Sequence, residues 1–154
     1  PGGHARGRCA TRRDRVGRAR VAGGLTGGVD LALRTRDGRY GVTAYKTNRL
    51  SDGADVPAYD GAARHAAMLH GEYPLQALLY LVGMHRMLDR RLAGYDPAQH
   101  LGGAAFLFVR GMVGPDTPLR DGVRDGVSVW RPAIGAVLAA DAVLAAAARP
   151  GGAR

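Results

Sequence analysis

The amino-acid sequence predicts an α/β domain, a mixed β-sheet packed by helices. Three observations carry that expectation. Asp37-Gly38, a strong hairpin-turn pair, separates two strand-like runs, so those runs should pair antiparallel. A long helix with one broad apolar face follows, over about residues 74–92. The continuous apolar run at 104–109 is then short enough for a buried strand. Strands interleaved with helices in this way make a sheet with helices laid on it.

Taken in order, residues 1–22 are rich in Arg and Gly without a period, and read as a disordered stretch or the ragged start of a fragment. Residues 23–148 hold the domain, and 149–154 form a tail. Leu25, Val29, Leu31 and Leu33 read as the first strand, with Asp30 inside it. Residues 39–45 form the second strand, closed by Lys46. Asn48, Ser51, Asp52, Gly53, Asp55 and Pro57 break any period and predict a loop. A helical stretch is plausible from about 60 to 70. In the main helix Pro74 suits the first turn, and Leu75, Leu78, Leu79, Val82 and Leu88 share the apolar face. Arg86, Arg90 and Arg91 sit in its last turns, where cations complement the helix dipole. A polar link spans 93–101, a turn-rich segment 111–126, and a last strand 127–130. Arg131-Pro132 opens an Ala-rich helix over about 133–148.

Composition removes several classes. Apolar residues are 46% and charged residues 23% of the 154, ordinary globular usage, so disorder throughout is not expected. One cysteine, Cys9, allows neither an internal disulfide nor a cysteine metal cluster. No apolar run approaches the roughly 18 residues of a membrane span, and residues 1–15 lack the apolar core of a secretory signal. The net charge is +9, and seven arginines against Asp14 alone put +6 of it in the first twenty residues. Such a segment either attracts phosphate backbones or is a solvated tail. Lys46 is the only lysine in an arginine-rich chain. Its ammonium is compact and tunable in pKa, which a guanidinium is not.

Asp30 on one strand and Lys46 on its hairpin partner can meet at one end of a sheet. Gln76 and Tyr80 are four apart and share a helix face. A metal-dependent nuclease uses such an acid and lysine to hold Mg²⁺ and to place water at a phosphate. It also needs a second carboxylate two residues before the lysine, and that position is Ala44. The bland alternative is a strand-end aspartate that caps a turn, beside partly buried helix residues with polar tips.

Three strings go further. Gly24-Leu25-Thr26-Gly27-Gly28-Val29-Asp30-Leu31, Ala44-Tyr45-Lys46-Thr47-Asn48 and Tyr73-Pro74-Leu75-Gln76-Ala77-Leu78-Leu79-Tyr80 resemble the nuclease domain of the RecB (exodeoxyribonuclease V) family, with its G-x-x-D, D-Y-K-[ST]-N and L-Q-x-x-L-Y pattern. His100-Leu101-Gly102-Gly103, Leu107-Phe108-Val109-Arg110-Gly111-Met112 and Trp130-Arg131-Pro132 resemble its closing segment, so the likeness covers about residues 24 to 144. The resemblance implies a PD-(D/E)xK, restriction-endonuclease-like core. It implies Asp30 as a Mg²⁺ ligand, Lys46 as the catalytic lysine, and Gln76 and Tyr80 as a Q-x-x-x-Y motif that positions DNA. The Tyr45 carbonyl would face the same single ion. It further implies a bacterial, cytoplasmic helicase–nuclease that acts on linear duplex ends and single strands of DNA in break repair and recombination, with RecC-like and RecD-like subunits and RecA as partners.

Two departures qualify this. The family aspartate of D-Y-K is Ala44 here, which should weaken Mg²⁺ binding and remove most cleavage. Lys46, Thr47 and Asn48 around it are intact, which reads as one substitution in a live site, engineered ahead of natural decay. The family's upstream helical part, with its histidine ligand, has no match; His4 sits in the wrong context, and no G-x-x-x-x-G-K-[ST] motor loop occurs. With Pro1 in place of Met, the expectation is the C-terminal part of a longer protein. The non-catalytic alternative is a module that binds DNA or docks RecA.

Overall fold

The computed structural model describes residues 28–49, 59, 66–68, 72–120 and 122–148. Strands β1 (Leu31–Arg34) and β2 (Tyr40–Lys46) pair antiparallel, with Leu31 opposite Thr43 and Arg34 opposite Tyr40. The turn is built as the Asp-Gly pair requires. Gly38 has φ +86°, a left-handed value that a side chain disfavours. The Thr35 and Gly38 amides donate to Arg39 O and Thr35 O, at 2.8 and 2.9 Å. Helix α1 (Tyr73–Arg91) carries the chain back, and a one-turn helix α2 (Pro97–His100) delivers it to strand β3 (Leu101–Phe108). β3 runs parallel to β2, as a helical crossover dictates. A small hairpin, β4 (Leu119–Arg120) and β5 (Val123–Arg124), precedes β6 (Val127–Trp130). β6 closes the sheet against β3 in the order β1-β2-β3-β6, and α3 (Ile134–Ala148) ends the described chain. The expected mixed sheet flanked by helices is what forms.

Successive strand residues face opposite sides. Val42 and Ala44 of β2 and Ala104, Phe106 and Phe108 of β3 point to the side on which α1 lies. There they bury against Ala77, Leu81, Met84 and Leu88, spaced at 4, 3 and 4 residues along α1. Val137 brings α3 to the same core, and Arg86 Nε, 2.5 Å from Asp141 Oδ1, ties α1 to α3. The other side of the sheet carries Leu31, Leu33, Tyr45 and Val129, all exposed. Between Tyr40 and Val42 the register slips, because two steps on β2 face three on β3, from Leu101 to Ala104. Gly102 and Gly103 make up this bulge. A Cβ on Gly103 would lie 2.6 Å from Trp130 O, so no larger residue fits between the strands.

Several expectations are corrected. β1 begins at Leu31, so Asp30 lies just outside the strand, while Leu25 falls outside the described residues. The buried face of α1 includes Val82 and Leu88 as expected, but Leu75 is 54% exposed, and Ala77 and Leu81 are buried in its place. Seven residues separate Leu75 from Val82, but the crossover aims the stripe through Ala77, whose small side chain lets the helix approach the sheet. The link at 93–101 contains α2, capped where Asp96 Oδ1 accepts from the Ala98 amide at 2.8 Å. β3 starts at Leu101 rather than 104, since the bulge lets two glycines continue the strand. Of the stretch at 60–70, Ala66, Ala67 and Met68 are helical and the rest lies outside the described residues, as do residues 1–22 and 149–154.

Candidate active site

Lys46 ends β2 with its stem packed between rings. Its Nζ stands 4.8 Å from the Tyr73 ring centre and 5.1 Å from that of Phe106. The ammonium donates to Gln76 Oε1 at 2.6 Å, and Gln76 Nε2 donates to the Tyr80 hydroxyl oxygen at 2.8 Å. Helical spacing makes this chain possible, because residues 73, 76 and 80 fall on one face of α1. A glutamine amide has one acceptor and one donor end; the donor-only ammonium takes the acceptor end, which leaves the donor end for Tyr80. Burial pushes the Lys46 amine below the usual lysine value of 10.5, and the Asp30 carboxylate pulls it part of the way back.

Asp30 stands at the same end of the sheet. Carried one step past Leu31–Thr43, the hairpin register puts Asp30 across from Ala44 and on the face of Lys46. Its Oδ2 accepts from the Tyr45 amide at 2.8 Å, taking over the ladder bond where β1 has ended. One carboxylate oxygen therefore has a structural duty. Ala44 is 3% exposed and faces Phe106 across the β2–β3 pair.

The structure brings Asp30, Lys46, Gln76 and Tyr80 together. Ala44 lies between Asp30 and Lys46, and the Tyr45 side chain turns to the opposite, exposed face. Sequence reading missed Tyr73 and Phe106 as the walls around the lysine, although Tyr73 lies three residues before Gln76 on the same helical face. It also missed Arg110, whose Nε donates to Thr47 O at 2.7 Å and holds the backbone just after Lys46. Among the described residues no group of three or more His, Cys, Asp or Glu side chains can hold a metal ion. The described residues therefore do not fit Mg²⁺ on their own: Asp30 is one carboxylate, half engaged, where the ion wants a near-octahedral set of oxygens. No helix among the described residues is long and apolar enough to cross a membrane.

No family model matches the chain. Three relatives do. The RecBCD enzyme subunit RecB of Mycolicibacterium smegmatis is 49% identical over 131 residues, which are 83% of this chain and 12% of that protein. The RecBCD enzyme subunit RecB of Mycobacterium tuberculosis is 46% identical over 82% of this chain and 12% of its own length. That of Escherichia coli is 39% identical over 81% of this chain and 10% of its own length. The chain thus spans about a tenth of the curated relatives it matches. At these identities, over four-fifths of its residues, the chain belongs to the RecB family.

Proposed function

We propose that this chain is the nuclease domain of a RecBCD-type helicase–nuclease, acting on linear DNA in double-strand break repair in the bacterial cytoplasm. In this reading it works beside RecC-like and RecD-like subunits, with RecA as a further partner, and Ala44 leaves it unable to cut. The observation that carries the reading is the chain Lys46–Gln76–Tyr80 meeting Asp30 at one sheet end. An ammonium keeps three N–H groups, and Gln76 takes one, so two remain for a phosphate oxygen. Fixed in advance, such a donor stabilises charge that develops on a phosphodiester without reorganising. Mg²⁺ is the ion that an aspartate at position 44 would complete a site for, with Asp30 and the Tyr45 carbonyl as its other protein ligands. It would supply charge neutralisation at the phosphate.

The test is digestion of linear single-stranded DNA with Mg²⁺ by this chain and by Ala44→Asp. Both are also made in a polypeptide extended to the length of the relatives. Cleavage by the Asp form alone is expected. An inert Ala44→Asp in the extended polypeptide sinks the catalytic reading. Ala44 itself favours a second reading, a module that binds DNA or docks RecA without cutting. Binding of DNA that ignores salt would count against phosphate recognition.

A further inference from the structure

The opposite end of the sheet carries a cleft that the proposed chemistry does not use. It encloses about 440 Å³ and is lined by Arg34, Asp37, Gly38, Arg39, Gln99 and His100. Its two guanidinium groups are held in place. Arg39 Nη1 donates to Ala98 O at 2.8 Å and to Leu101 O at 3.2 Å, and its Nε stands 3.4 Å from Asp37 Oδ2. The Arg34 guanidinium lies over the Tyr40 ring, 5.6 Å from its centre. Arg131 stands beside the cleft, in an adjoining hollow that Arg39 and Thr35 also line. Among the described residues Asp37 is the only acid lining the cleft, and its carboxylate is already engaged by the Thr35 hydroxyl at 2.5 Å and by Arg39. With Arg131 from the adjoining hollow, three guanidinium groups against one spent carboxylate leave a net charge of +2 on these four side chains. A loose arginine on a solvated surface loses rotamer freedom when it binds an anion. Groups already pinned by carbonyls and a ring lose less.

We infer that this cleft is a second phosphate site, which grips the backbone of a single DNA strand whose reacting portion lies at Lys46. The inference rests on the DNA-directed reading above and adds a place where the strand is held. β2 joins the two sites: six residue steps from Tyr40 to Lys46, at about 3.3 Å each, put them about 20 Å apart. At about 3.4 Å per stacked nucleotide, that is a path of roughly six nucleotides. Arg39 Nη2 brings two further N–H donors, and a guanidinium fork matches phosphate oxygens in pairs.

The experiment measures fluorescence anisotropy of a labelled twelve-nucleotide dT strand against salt, with this chain and with the Arg34→Gln/Arg131→Gln double variant. Arg39 is left alone because it supports two backbone carbonyls. Losing two phosphate contacts should make the slope of log affinity against log salt shallower by about 1.4, which at 0.1 M salt is about a 25-fold loss. Contributions from the arginines at 1–22 cancel in the comparison. The Arg34→Lys/Arg131→Lys form keeps the charge and should keep the slope. If the double variant does not fold, Arg131→Gln alone should lower the slope by about 0.7. An unchanged slope in a folded variant overturns the inference and leaves the cleft to an acidic protein surface. Inorganic phosphate binding that the variant abolishes, with DNA binding unchanged, overturns it in favour of a free anion. Failure of both proteins to bind the strand also overturns it. Cleavage by Ala44→Asp reports on the nuclease reading separately: it can persist with an unchanged slope, and the slope can change without cleavage.

Discussion

Placing aspartate at position 44 should make the stability of this chain depend on Mg²⁺, a change readable without any cleavage. Ala44 is 3% exposed, faces Phe106, and lies across the hairpin from Asp30. A carboxylate put there without an ion loses its water and meets a second carboxylate, which the Lys46 ammonium offsets in part. A net cost of about 2–3 kcal/mol is expected, since the effective penalty of a buried ion is several kcal/mol before pairing. For a domain of this size about 1 kcal/mol moves the melting temperature by roughly 2–4 °C, so the metal-free variant should melt roughly 4–12 °C below the parent. Adding Mg²⁺ to a hundredfold excess over its Kd returns about 2.7 kcal/mol, a rise of roughly 5–11 °C. The parent, with one half-engaged carboxylate, should move by less than about 1 °C over the same titration. Melting followed by circular dichroism, with Ca²⁺ and Na⁺ controls, reads both. Equal shifts in the two proteins would refute the argument that Asp30 and position 44 converge on one ion.

Other outcomes follow from the same geometry. Lys46 is the only lysine, so one labelled lysine resonance reads this site alone and should titrate below 10.5. Between its folded value and 10.5 the unfolded chain holds more protons. Stability attributable to Lys46 should therefore rise as pH climbs through that window, and denaturation of Lys46→Met should lack that rise. Gln76→Ala removes the link between the ammonium and Tyr80 and should cost about 1–3 kcal/mol in urea unfolding. A loss below about 0.5 kcal/mol would mean that Lys46 is held by its rings alone. Gly103→Ala drives a Cβ to 2.6 Å from Trp130 O, where backbone must give, and should cost about 1–3 kcal/mol or more. Arg86→Ala breaks a partly exposed ion pair and should cost no more than about 1 kcal/mol.

What sequence reading recovered depended on how local each signal was. The Asp37-Gly38 turn, the pairing of its strands and the facing of Gln76 and Tyr80 all follow from spacing, and all were legible. The bulge at Gly102-Gly103 was not, because its reason is the approach of Tyr40 and Trp130 from other parts of the chain. A leucine stripe at helical spacing, the ordinary sign of burial, puts Leu75 in the core. The helix instead buries Ala77, since a small residue lets α1 settle onto β2 and β3. At the site, the acid, lysine, glutamine and tyrosine came from their spacing and from resemblance. Phe106 had no sequence signal as a neighbour of Lys46: only the parallel pairing of β2 with β3, sixty residues apart, brings it there.

The identity of residue 44 therefore bears on stability and chemistry in opposite directions. With alanine, Asp30 faces no second carboxylate among the described residues, its Oδ2 closes the hairpin through the Tyr45 amide, and the wall beside Phe106 stays apolar. With aspartate, two carboxylates oppose each other across the hairpin and one is buried, an arrangement that Lys46 offsets in part and a bound cation relieves further. A domain built to cut would accept that cost, because sites that need clustered charge are commonly less stable than their neutral versions. Ala44→Asp should accordingly gain cleavage and lose metal-free stability together. A variant that gained neither an ion response nor cleavage, yet remained as stable as the parent, would mean that position 44 does not point into the site at all.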